Sequence, residues 1–192
     1  MEEIEAKFLD INVPALREKL TSVGATLVGT YDYRRKLFDY PDYRLEAKHA
    51  WVRLRDEIDR ITLSYKERIG VGESEFGDVG MKEVEIVVSD FDMTNELLLA
   101  VGMIEKRYEE NRRERWQFGD VVCDIDFWPI IPPYLEIEGP SWEAIEKAAH
   151  ALGLDWQTHM RSSANEVFKK YGLDNHIYSV FTLDRQIKRV EN

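Results

Sequence analysis

The chain opens on Glu3-Ile4-Glu5-Ala6-Lys7, and this alternation of charged with apolar residues returns along its length. It recurs at Arg53-Leu54-Arg55, Glu83-Val84-Glu85, Arg113-Glu114-Arg115, Asp124-Ile125-Asp126 and Glu136-Ile137-Glu138. In a β-strand, residues i and i+2 project from one face. Each motif therefore aims two like charges at the same side of a sheet. Acidic pairs on neighbouring strands suit a hard divalent cation, and basic pairs suit an anion. Together they match a metal-bound polyphosphate.

Around these motifs the pattern predicts strands at 2–9, 27–39, 50–58, 60–68, 104–118, 120–128 and 133–138, and one carrying Glu83-x-Glu85 that leads to Ser89-Asp90. Helices are expected from Asn12, from Ser89-Asp90 and from Pro140-Ser141, closed by Gly24, Gly102 and Gly153. A short helix is expected over 163–171. Residues 70–80 are rich in glycine and acid and lack the spacing of a phosphate-cradling loop, which predicts a connecting loop. Beyond Asn175, Phe181, Ile187 and Val190 fall at loosely helical spacing, and this segment either packs back or serves a partner.

The second half echoes the first. Glu3, Glu5 and Asp10 recur 80 positions later as Glu83, Glu85 and Asp90, and Gly24 recurs 78 positions later as Gly102. Two copies predict a pseudo-two-fold barrel, because a solenoid needs more repeats.

A single Glu-x-Glu normally faces water. Here the amphipathic helices need an apolar surface to cover, and Ile4, Ala6, Val52, Leu54, Val84 and Ile86 offer one on the alternate face of the strands. About eight strands suffice to close a barrel. The expected fold is therefore α+β: an eight-stranded antiparallel β-barrel, or tunnel, with a charged interior, clad by helices. Ions removed from water cost several kcal/mol each unless paired or coordinated, so a charged interior points to ligand binding.

Charged residues make up 33% of the 192 residues, above the usual quarter, and the formal net charge is −11. That charge argues against a general nucleic-acid binder. No apolar run reaches the length of a membrane span and no signal peptide is evident, which predicts a cytoplasmic protein without a membrane partner. The lone Cys123 excludes an internal disulfide and is expected on the core side of its strand. Trp51, Trp116 and Trp128 are expected in the apolar layer beneath the helices, with base stacking as the alternative. His49, His150, His159 and His176 are scattered without metal-ligand spacing.

The ordered set Glu3-x-Glu5-x-Lys7, Arg53-x-Arg55, Lys66, Glu83-x-Glu85, Arg113, Asp126 and Glu136-x-Glu138 resembles the signature of the CYTH superfamily, the triphosphate tunnel metalloenzymes. The likeness spans roughly residues 1–172. It implies a domain over residues 1–174 with a C-terminal tail at 175–192, acting as a monomer or homodimer. It also implies an eight-stranded tunnel that binds a small-molecule triphosphate with Mg²⁺ or Mn²⁺. By this resemblance Glu3, Glu5, Glu136 and Glu138 hold the metal, Asp126 and Asp124 assist, and Glu83 and Glu85 either hold a second metal or pair with arginines. Lys7, Arg53, Arg55, Lys66, Arg113 and Arg115 clasp phosphate. Lys7, Arg55, Lys66, Arg113 and Asp126 are the expected catalytic set. Many members carry Lys-x-Arg on the sixth strand, where this chain has Asn111-x-Arg113; on the second strand the inward base is Arg34 or Lys36. Phosphoanhydride hydrolysis is the favoured activity. The alternatives are a class IV adenylyl cyclase and a non-catalytic nucleotide or polyphosphate sensor.

Overall fold

The computed structural model describes residues 4–70, 80–161 and 164–189. Glu3, Ser163, Val190 and the core of the expected 70–80 loop lie outside these residues. The strands are β1 (Ile4–Phe8), β2 (Thr26–Asp39), β3 (Ala50–Asp56), β4 (Ile61–Ile69), β5 (Gly80–Val88), β6 (Ile104–Phe118), β7 (Val121–Phe127), β8 (Tyr134–Gly139), β9 (Tyr178–Phe181) and β10 (Gln186–Lys188). The helices are α1 (Val13–Ser22), α2 (Phe91–Ala100), α3 (Trp142–Leu152) and α4 (Ala164–Lys170). The fold is α+β, with eight main strands hydrogen-bonded in the order β1-β8-β7-β6-β2-β3-β4-β5.

That order maps onto itself, reversed, when each strand is exchanged for the one four positions along the chain, as the internal repeat requires. The two strand–helix–strand segments are also built alike. Asn12 caps α1 by accepting from the Ala15 amide, and Asp90 caps α2 by accepting from the Met93 amide. Both helices close on a left-handed glycine, Gly24 at φ +85° and Gly102 at φ +90°. The following amides of Ala25 and Met103 then bond back to the carbonyls of Leu20 and Leu98.

The chain divides into two compact units, Met1–Asp32 with Asn111–Ile177, and Tyr33–Glu110 with Tyr178–Asn192. In the first, Ala6, Phe8, Trp116, Cys123, Ile125, Leu135 and Ile137 from one face of the sheet pack against Leu16 and Leu20 of α1 and Ile145, Ala148, Ala149 and Leu152 of α3. Cys123 is fully buried in this layer, as expected, and burial followed by the Asp124 charge pushes its thiol up to about 12. Trp128 packs edge-on against Phe168 of α4.

In the second unit, Phe38, Leu54 and Ala50 pack against Phe91 and Leu98 of α2. Val84 and Ile86, expected beneath a helix, are instead more than half exposed on β5. The C-terminal segment also departs from its helical spacing. It forms the β9–β10 hairpin, in which β9 pairs in parallel with β6 through Tyr108↔Val180 and Glu109↔Phe181. The edge of β6 at Tyr108 and Glu109 offers unpaired ladder groups, and burial of Phe181 rewards their pairing.

Candidate active site

In the first unit, cross-strand register brings the charged alternates together on the face opposite α1 and α3. Glu5 lies opposite Glu138, Lys7 opposite Glu136, Asp124 opposite Glu136, Arg113 opposite Asp126 and Arg115 opposite Asp124. Directly opposed residues in an antiparallel pair share a face, so period-two alternation alone builds this cluster. Lys7 is almost wholly buried; its Nζ bridges Glu5 Oε1 and Glu136 Oε2, the latter at 3.0 Å. Burial works against its charge, but Glu136 and Glu5 outweigh burial and hold the ammonium above its ordinary range.

Arg113 donates from Nε and Nη2 to both oxygens of Asp126 (2.7 and 2.6 Å), from Nη1 to Asp124 Oδ2 (2.7 Å), and from Nη2 to Glu136 Oε1 (3.3 Å). Arg115 makes a second fork on Asp124 at 3.0 and 2.8 Å. Burial raises the Asp126 carboxyl despite Arg113, with Glu136 and Asp124 adding to the rise. Glu136 moves the other way: burial opposes its charge, but Arg113 and Lys7 prevail and lower it. Arg113 was expected to clasp phosphate, yet its guanidinium is committed to three carboxylates. A charge alternation shows where a side chain points and says nothing of its partner.

The second unit carries the opposite balance. Arg53 and Arg55 of β3 lie opposite Ser64 and Thr62 of β4, Lys66 lies opposite Glu83, and Ser64 lies opposite Glu85. Lys66 Nζ meets Glu83 Oε1 at 2.8 Å, whereas Arg53 Nη2 reaches Glu83 and Glu85 only at 3.8 and 3.6 Å. Glu83 and Glu85 thus sit among basic residues. Burial, then Arg55 and Arg35, push Arg53 down to about 10 in spite of these acids. Burial and Arg53 lower Lys66. Among the described residues, four donors on this face, Arg53 Nε, Arg55 Nε, Thr62 Oγ1 and Ser64 Oγ, are buried and have no hydrogen-bond partner. Buried donors rarely go unsatisfied, and a cluster of them calls for an acceptor.

Register corrects the choice on β2. The inward base is neither Arg34 nor Lys36 but Arg35, directly opposite Arg55. Arg34 lies over the Phe91 ring of α2, and Lys36 bonds Asn95 of α2, so both occupy the helix-covered face. Three consecutive bases hide their own parity, although the apolar Phe38 settles it by counting back in twos. Trp51 is also displaced from its expected layer, since it lies opposite Lys66 on the charged face. Thr62 and Ser64 are uncharged, so a charge alternation does not single them out, although Thr62-x-Ser64-x-Lys66 carries the same period of two.

Among the described residues, no three acidic, histidine or cysteine side chains form a ready metal cage. The carboxylates of the first unit are spanned by Lys7, Arg113 and Arg115 instead.

The chain belongs to the CYTH family, whose domain model matches residues 1–171. No curated protein matches the sequence. Among solved structures, a candidate adenylate cyclase of Vibrio parahaemolyticus aligns with TM-score 0.65 at 14% identity, covering 87% of this chain and 97% of its own. A candidate adenylyl cyclase of Hippeastrum, described as having a dominant triphosphatase activity, aligns with TM-score 0.62 at 15% identity, covering 91% and 97%. A protein of Pyrococcus horikoshii aligns with TM-score 0.63 at 20% identity, covering 84% and 96%. At these identities the likeness is one of fold. Among the described residues, no helix is long and apolar enough to cross a membrane.

Proposed function

We propose that this protein is a divalent-metal-dependent enzyme that hydrolyses a phosphoanhydride bond of a small triphosphate. One observation carries this reading: on one face Arg53 Nε, Arg55 Nε, Thr62 Oγ1 and Ser64 Oγ are buried and, among the described residues, have no hydrogen-bond acceptor. A phosphate chain supplies many acceptor oxygens and the negative charge this face is short of. In this reading residues 1–174 form the triphosphate-tunnel domain, and 175–192 are appended to it.

Arg53, Arg55 and Lys66, joined by Arg35, bind phosphate oxygens and neutralise charge as the bond to the leaving phosphate breaks. Such positioning and charge stabilisation make up most of phosphoryl-transfer catalysis. Arg113 keeps Asp126, Asp124 and Glu136 in fixed rotamers, while the more exposed Arg115 adds positive charge. Lys7 holds Glu5 and Glu136 side by side. These carboxylates and Glu138 are hard oxygen donors on adjacent strands, and their chemistry fits Mg²⁺ or Mn²⁺. Glu5, Glu136 and Glu138, with Glu3 from the same motif, would hold the cation, which when bound supplies Lewis-acid charge neutralisation on phosphate.

A second reading, a class IV adenylyl cyclase, draws on Trp51, a flat ring beside Lys66 and Arg53 on which a nucleobase can stack. In that reaction the ribose 3′-hydroxyl of ATP attacks the α-phosphorus and pyrophosphate leaves. The test is to incubate purified protein with tripolyphosphate, thiamine triphosphate or ATP, with and without Mg²⁺ or Mn²⁺, and to resolve phosphate from cyclic AMP. Metal-dependent phosphate release is expected. Cyclic AMP as the main product overturns hydrolysis, and tight metal-independent binding without turnover favours a sensor.

A further inference from the structure

β1 ends the strand order, and its partner β8 serves only one edge. At Lys7 the other edge is filled by a single residue from far along the chain. The Lys7 amide donates to the Met160 carbonyl and the Met160 amide donates to the Lys7 carbonyl, both at 2.9 Å. In an antiparallel ladder both backbone groups of a residue point to the same side. Both hydrogen-bonding groups of the Lys7 backbone thus go to Met160, at a position where the side chain is buried from water. Without this bridge, a buried amide and carbonyl next to the Lys7–Glu136 ion pair lose their partners.

Met160 is flanked by a stack of rings. His159 lies on Trp156, centroids 4.0 Å apart and planes within 16°, and the Arg161 guanidinium lies 3.8 Å over Trp142 at the start of α3. Arg161 Nε donates to His159 Nε2 at 3.1 Å. A guanidinium only donates, so Nε2 is the acceptor and the ring proton sits on Nδ1, which donates to the Trp156 carbonyl. His159 is thereby fixed at both nitrogens and across one face. The residues on either side of Met160 are both anchored.

We infer that His159 is a positioning residue: with Trp156 and Arg161 it holds Met160 against Lys7, and so sets the placement of the Lys7 ammonium between Glu5 and Glu136. This role rests on the triphosphatase reading for its catalytic consequence, but the coupling from His159 to Lys7 is independent of any substrate.

Residue-resolved amide exchange tests it in the full-length chain. His159→Ala is expected to speed exchange at the Lys7 and Met160 amides by about tenfold or more, through local opening, while the Ile125 and Ile137 amides keep their protection. Metal-dependent kcat on tripolyphosphate falls by about tenfold with KM little changed, since misplacement costs positioning more than binding. His159→Gln, which retains an acceptor and a donor, restores much of both. Gln157→Ala, on the exposed side of the same turn, changes neither. Unchanged exchange at Lys7 in His159→Ala overturns the inference, as does faster exchange spread evenly over β7 and β8. Faster exchange at Lys7 with unaltered kcat overturns the catalytic consequence. A wild-type protein that turns over no triphosphate overturns the functional reading alone, and the exchange result still decides whether His159 holds Lys7.

Discussion

Arg35 and Arg55 lie directly opposite one another on β2 and β3, two like charges on one face of the sheet. Such a pair costs roughly 0.2–1 kcal/mol relative to a neutral one. In the proposed reading, a bound phosphate chain relieves this repulsion. Arg35→Gln is expected to leave the melting temperature unchanged or raise it by up to about 4 °C for a domain of this size. It should also weaken tripolyphosphate binding by about tenfold or more, the worth of one charge-assisted hydrogen bond. Thermal melts and calorimetric titration on one preparation check both. A destabilised variant with unaltered affinity would make Arg35 structural.

The same crowding sets a pH dependence. Burial, Arg55 and Arg35 bring Arg53 down to about 10, below the ordinary arginine range, and Lys66 is lowered as well. For a base with a depressed folded value, the native state releases its proton first. Charge for binding is therefore lost as pH rises through about 10, while this group's contribution to stability grows above that point, where the unfolded chain still holds the proton. Tripolyphosphate affinity is expected to decline through this window, and Arg55→Gln should shift the decline to higher pH by removing a repelling neighbour. An affinity that stays flat above pH 10 would remove Arg53 from the phosphate site.

Much of this was legible in the sequence, and the reason is geometric. A period of two dictates the face of every residue once the strand is known, so Glu5, Lys7, Asp124 and Glu136 were placed by counting. The helix-covered side followed from Ala6, Leu54 and Ile137 in the same way. What stayed hidden were partners and neutral donors. Nothing in Arg113-x-Arg115 reveals that Arg113 is spent on Asp126, Asp124 and Glu136, because those contacts need the register between strands. The bridge from Met160 to Lys7 joins residues that no local pattern relates. The C-terminal segment has loosely helical spacing yet forms a hairpin, because its pairing is dictated by the edge of β6 more than by its own spacing.

The Arg113–Asp126 pair is buried and forked, so breaking it should be costly. Asp126→Asn leaves the Arg113 charge short of its main partner and is expected to cost about 3–5 kcal/mol in urea melts at neutral pH. Because burial raises the Asp126 carboxyl, the wild type takes up this proton above the ordinary value of 3.8. By linkage, the native state binds this proton before the unfolded chain does, so the wild type gains stability and the gap between the two proteins should widen as pH falls toward 3.8, beginning above that value. A gap that remains constant down to 3.8 would mean that Asp126 stays ionised and that Arg113 dominates its surroundings.

Glu5 separates metal binding from folding. Its side chain is one-third exposed, and Lys7 keeps Glu136 as a second partner if Glu5 is neutralised. Glu5→Gln is expected to change stability by less than about 1 kcal/mol. Metal-dependent turnover should nonetheless fall by about a hundredfold or more, as when one transition-state charge contact is removed. Chelation of the wild type with EDTA should give the same loss, reversed by Mn²⁺ or Mg²⁺. Unchanged rates in Glu5→Gln would take Glu5 out of the metal set.

The repeat makes a prediction of its own, because its two halves stop their helices by the same device. Gly24 and Gly102 both occupy left-handed backbone, and a Cβ at either position meets no atom within 4 Å. The cost of alanine there is then conformational alone, about 1–2 kcal/mol at each site. Asparagine, which tolerates this region, should cost less. The two caps lie in different compact units and share no partners, so the double Gly24→Ala, Gly102→Ala variant should lose the sum of the single losses to within about 0.5 kcal/mol. Urea melts of the four proteins measure this directly. A coupling well beyond that bound would mean that the two helix ends are not independent copies of one motif.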